Sequence, residues 1–96
     1  MPEVIDLPDR LDTSMADGLT QRLGRAAGGD LLIDGQRVQC LGTLCAQALL
    51  AAQIAAAQAN HEFRLIASEA MRDDLRLLGL GALAATHNAN YSGETT

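Results

Sequence analysis

Hydrophobic positions along this chain switch between two rhythms, one of every second residue and one of every third or fourth. Glu3 to Leu7 (EVIDL) alternates, with Ile5 and Leu7 on one side and Val4 on the other, and Pro8 stops it. Asp12, Thr13 and Ser14 then offer several helix-capping side chains, and Met15, Leu19, Leu23 and Ala26 follow at helical spacing until Gly28-Gly29. Leu31-Leu32-Ile33 is a wholly apolar run of the kind found in a strand covered on both faces, and Asp34-Gly35 is expected to break it. Val38 to Leu41 adds a short irregular extension. A second helix is predicted from about Thr43 to Ala59, ending at Asn60. Glu62 to Ala67 (EFRLIA) alternates again, with Phe63 and Leu65 on one side and Arg64 and Ile66 on the other. Ser68 is a good cap for a third helix, Glu69 suits the positive end of its dipole, and Met71, Leu75 and Leu78 form its expected buried stripe. Gly79 and Gly81 end that helix, Leu80 and Leu83 suggest one more short apolar element, and the polar tail from Thr86 is expected to be loose.

Strand and helix alternate three times. The pattern predicts an α/β fold in which three or four helices pack mainly on one face of a short, mostly parallel sheet. No repeat or linker interrupts it, so residues 1–96 read as a single domain with a core over about 3–85.

The second helix departs from the usual division into a greasy inside and a charged outside. On a wheel of about 100° per residue, Cys45, Ala48, Leu49, Ala52, Ala56 and Ala59 share one side, and all but Leu49 are small. Thr43, Gln47, Leu50, Ile54 and Gln58 fall opposite, so the outward face carries aliphatic groups and no charge. Two accounts are open. Leu50 and Ile54 can pack against a neighbouring helix, or the face can receive a partner protein, as an aliphatic patch rimmed by Gln and Thr would. Thr43 sits at the helix mouth, where a hydroxyl serves as a cap. Unsatisfied N–H groups and the dipole also make that place favourable for a phosphate. A phosphothreonine there would put about two negative charges on the apolar face and could expel a partner.

Composition narrows the function. The net charge is −5, and the seven basic residues, all Arg, are spread from Arg10 to Arg76, which argues against nucleic acid and anionic membrane as partners. Phe63 and Tyr91 are the only aromatics. Glu69 with Arg72 and Asp73 with Arg76 read as pairs on a solvated helix face. MPEVIDLPDR lacks the features of a signal peptide, and no apolar run is long enough for a membrane span, so a cytoplasmic location is expected. Cys40 and Cys45 read as small buried hydrophobes, consistent with a reducing compartment.

Candidate chemistry is sparse. His61 and His87 are far apart and read as solvated, and the acid and cysteine spacing supports no metal site. Gly79-Leu80-Gly81 follows a helix and lacks the third glycine of a dinucleotide fingerprint. Neither cysteine has the electropositive setting of a nucleophile, and Asp73 and Asp74 do not share a cleft. No cofactor is expected, and the chain reads as a non-enzyme.

The run LLIDGQRVQCLGTLCAQALLAAQ, followed by HEFRLIASEAMRDDLRLLGL, resembles STAS domains, the fold of bacterial anti-sigma factor antagonists. The leading DLPDRLDTSMADGLTQRL is similar to the start of that family, and the resemblance covers about residues 3–85. It implies a non-enzymatic signalling module, whose partner is a GHKL-type anti-sigma factor or serine kinase, or a histidine kinase. In the family a serine in an "iDSSG" segment is phosphorylated by that kinase. Matching the leucines of ALLAA lays Leu41-Gly42-Thr43-Leu44-Cys45 over it, so the resemblance puts Thr43 on the phosphorylated position. Gly42 then stands for the family's Asp, Leu44 for its second Ser and Cys45 for its Gly. Gly42, Thr43, Leu44, Gln47, Leu50 and Ile54 become the expected partner-binding residues. The alternative within the same family is a constitutive adaptor in a chemotaxis, two-component or lipid-transport ABC assembly. A small-molecule-binding domain of the same fold and a homodimer through the apolar face fit the same pattern.

Overall fold

The computed structural model describes residues 3–81 and 83. Three strand–helix units follow one another. The first is β1 (Glu3–Asp6), β2 (Arg10–Leu11), a 3-10 turn (Thr13–Met15) and α1 (Ala16–Arg25). The second is β3 (Leu31–Gly35), β4 (Cys40–Leu41) and α2 (Thr43–Gln58), and the third is β5 (Phe63–Ala67) and α3 (Glu69–Leu77). The main sheet has the order β1-β3-β5 and is parallel throughout, while β2 and β4 form a second, two-stranded parallel sheet.

Register explains the layering. Ile5, Ile33 and Leu65 stand side by side across the three strands, and all are within 1% of complete burial. Burying each contributes about 2 kcal/mol. The next row, Val4, Leu32 and Arg64, points the other way because strand side chains alternate. There Val4 is 49% exposed, Arg64 is exposed and Leu32 is half-buried. Among the described residues the helices therefore cover one face, and the apolar Leu31–Ile33 run is not covered on both sides as its composition suggests. Leu19 and Leu23 of α1, Cys45, Ala46, Leu49 and Ala56 of α2, and Met71 and Leu75 of α3 close the core, together with Leu7, Leu11, Val38, Leu41 and Leu83.

Asp34-Gly35 does not end β3 but completes it. Gly35 pairs with Ala67, and its carbonyl accepts from Ser68 N–H. A Cβ on Gly35 would lie 2.6 Å from Met71 Sδ and 3.1 Å from the Ile66 carbonyl, so α3 closes on the sheet at a point only glycine permits. Ser68 caps α3 as expected: its hydroxyl accepts from Met71 N–H at 3.0 Å and donates to the Val38 carbonyl.

Other expectations need correction. Met15 is 39% exposed, because a 3-10 turn precedes α1 and rotates that position outward. The first helix ends at Arg25, before Gly28-Gly29. Leu78 is 37% exposed, since it caps α3 and lies past the last helical turn. Cys40 is exposed, because β4 is a two-residue strand that buries only Leu41. Asp73 pairs with Arg76 at 3.5 Å, but no Glu69–Arg72 pair forms among the described residues. The tail from Thr86, with His87, lies outside the described residues.

Candidate functional site

The site begins where β4 turns into α2. Gly42 is the N-cap of α2, in extended conformation with φ −84 and ψ 165, and no side chain caps the helix. Thr43 is thus the first helical residue and not the cap that its hydroxyl suggested. Ala46 N–H is the first to reach an intrahelical acceptor, the Gly42 carbonyl at 3.0 Å. That leaves the N–H groups of Thr43, Leu44 and Cys45 without a partner inside the helix.

This corner is held from three sides. Gly42 N–H donates to the Leu11 carbonyl at 2.8 Å, and Leu41 N–H donates to Asp74 Oδ2 at 2.9 Å. The Cys45 thiol donates to the Asp12 carbonyl at 3.4 Å. Burial first, and then the charge of Asp12, push that thiol's pKa up, which suits Cys45 as a neutral packing group. Sequence spacing does not reveal the part played by Asp74, on α3, because its carboxylate reaches a strand N–H 33 residues away.

Of the expected partner-binding residues, Thr43, Leu44, Gln47 and Ile54 are exposed, and Leu44 and Ile54 are each about half open to solvent. Gly42 and Leu50 are half-buried. The buried side of α2 is Cys45, Ala46, Leu49 and Ala56, with Gln53 half-buried beside it. Relative to the wheel, the helix has rotated toward Ala46 and Gln53. The outward ridge is therefore Thr43, Leu44, Gln47, Ala51, Ile54 and Ala55, with Leu50 at its margin. On the flank away from Ala46 and Gln53, α1 packs along α2 and leaves a hollow to which Thr20, Leu23, Ala48, Ala51, Ala52 and Ala55 contribute. No residue of the 16-residue helix is charged. A helix with no charged face is ordinarily buried, yet Thr43, Leu44, Gln47, Ala51, Ile54 and Ala55 of this one are exposed.

Two further features lie outside the α2 mouth. An open cleft of about 720 Å³ at the C-terminal ends of β1, β3 and β5 is lined by Pro8, Asp9, Arg37, Gln39, Ser68 and Glu69. His61 is half-buried, and its Nδ1 is sealed from solvent without a hydrogen-bond partner, contrary to the solvated position expected. Among the described residues no group of three or more His, Cys, Asp or Glu side chains is placed to hold a metal ion. No helix among them is long and apolar enough to cross a membrane.

No family model, curated protein or solved structure matches the chain.

Proposed function

We propose that this chain is a non-enzymatic cytoplasmic signalling module of the STAS type that docks on a partner protein, an anti-sigma factor or kinase, through the start of α2. The observation that supports it most is the uncapped, uncharged and exposed N-terminal half of that helix. Leu44 and Ile54 supply an aliphatic ridge, Gln47 a polar contact, and Thr43 a hydroxyl beside unpartnered N–H groups. A phosphoryl group on Thr43 would be stabilised by those N–H groups and by the dipole, while its charge would repel an apolar partner. Incubation with a co-encoded GHKL-type kinase and ATP is expected to add one phosphate, detected by mass spectrometry and lost in Thr43→Ala. Phosphate on another residue, or none, overturns the switch.

The second reading, a constitutive adaptor, is favoured by one contact. A Cβ on Gly42 would stand 3.2 Å from the Leu11 carbonyl, so a carboxylate-bearing residue fits poorly where the family carries one. Pull-down separates the readings. In either case Ile54→Arg releases the partner, but only the switch makes binding sensitive to ATP and kinase and abolishes it in Thr43→Glu.

A further inference from the structure

We propose that the free edge of β1 is an interface between two copies of this chain, which pair antiparallel about Ile5 and join their two main sheets into one. Among the described residues β1 is an edge strand whose only neighbour is β3. Glu3 N–H donates to the Asp30 carbonyl and Leu7 N–H to the Asp34 carbonyl, both at 2.9 Å. Main-chain groups alternate in direction along a strand, so those of Val4 and Asp6 point away from the sheet. The Asp6 carbonyl points the same way: it accepts from the exposed Arg22 guanidinium at 3.5 Å, a long contact that an incoming strand N–H would replace.

Two outward residues at positions i and i+2 form a self-complementary edge. With a twofold axis through Ile5, Val4 of one copy faces Asp6 of the other, and each pair exchanges two N–H···O=C bonds. Ile5 meets its own copy, and Glu3 faces Leu7. Pro8 follows on the outward side and, having no N–H to donate, ends the ladder there without stranding a donor.

Charge fits the same register. Arg22 and Arg25 flank this edge and line both hollows along it, of about 190 and 300 Å³. Neither has a carboxylate within ion-pair distance among the described residues. In the pairing about Ile5, the exposed Glu3 of one copy arrives opposite Leu7 of the other. That is one residue along from the carbonyl Arg22 touches, on the helix-covered side of the sheet. Each copy thus offers an acid at the start of β1 and an arginine at its end, and the axis brings them together twice. This contact does not use the α2 mouth, so it stands or falls independently of the docking function.

Sedimentation of the full chain from low micromolar to about 0.5 mM, a range reaching weak self-association, tests it against three variants. Val4→Pro removes an outward N–H that β3 does not need, and is expected to weaken the dimer at least about tenfold, since each ladder bond it removes occurs twice by symmetry. Glu3→Arg is expected to weaken it as well, and Glu3→Arg with Arg22→Glu to restore it. Hydrogen exchange is expected to show the Val4 and Asp6 amides gaining protection as concentration rises. Circular dichroism checks each variant's fold, and should Val4→Pro fail to fold, the charge exchange decides. A wild-type chain that stays monomeric throughout the range overturns the proposal. So does a dimer indifferent to Glu3→Arg but dissolved by Ile54→Arg, which would assign self-association to α2.

Discussion

Two corners of this molecule share a plan and differ at one residue. Leu11-Asp12-Thr13 leads from β2 into the first helical turn, and Leu41-Gly42-Thr43 leads from β4 into α2, with Leu11 and Leu41 paired in register. In the first corner Asp12 accepts from both the Ser14 N–H and the Ser14 hydroxyl, so the helical turn is satisfied by its own sequence. In the second, glycine replaces the capping acid, its N–H is taken by Leu11, and the first N–H groups of α2 find no side chain. The difference comes from packing. A side chain at the second position would crowd the first corner, because a Cβ on Gly42 would stand 3.2 Å from the Leu11 carbonyl. The consequence is an anion-receptive helix start next to an aliphatic ridge, in place of a closed one.

Substitutions can break this contrast. Asp74→Ala has the largest expected effect: it leaves the half-buried Leu41 N–H without its carboxylate, and urea unfolding should show a loss of about 2 kcal/mol, most of it recovered by Asp74→Asn, which keeps an acceptor. Gly42→Ala comes next. The backbone angles suit alanine, but the methyl group presses on a main-chain oxygen that cannot retreat, for a net loss of about 1 kcal/mol in the same measurement. Asp12→Ala sharpens the other side of the comparison. The Ser14 hydroxyl foremost, and its N–H after it, hold the Asp12 carboxyl below its ordinary value of 3.8. A carboxyl lowered in the folded state contributes stability above that ordinary value and loses it as pH falls through the lowered one. Thermal melts should therefore show a smaller decline of the variant relative to wild type on acidification below pH 3.8. This is the smallest of the three effects, because Asp12 is fully exposed to solvent.

The alternation of strands and helices was legible because period-2 and period-3.6 patterns in EVIDL, EFRLIA and the α1 and α3 stripes are set by which face meets the core. The exposure of Thr43, Gln47 and Ile54 was legible for the same reason, whereas that of Leu44 came only with the family resemblance and Leu50, placed outward by the wheel, is half-buried. What escaped depends on distant partners. The rotation of α2 depends on the elements packed against it, which no wheel contains, and a helix rich in alanine carries little information about which side is inward. Asp34-Gly35 read as a break because glycine is a turn residue, yet Met71 and the Ile66 carbonyl require it inside the strand. The β2–β4 pair is two residues long and leaves no period to detect. Cys40 was misplaced because cysteine is buried by habit, whereas alternation across a two-residue strand exposes it.

The close fit of Met71 against Gly35 has a use beyond packing. Its sulfur is sealed inside the fold with no room for an added oxygen, while Met15 stands in solvent. Dilute peroxide should therefore convert Met15 to its sulfoxide promptly and reach Met71 only in molecules that have opened. The ratio of the two sulfoxides over time, read from the separate peptides that carry Met15 and Met71, gives a native chemical clock for how often α3 lifts from the sheet, without label or denaturant.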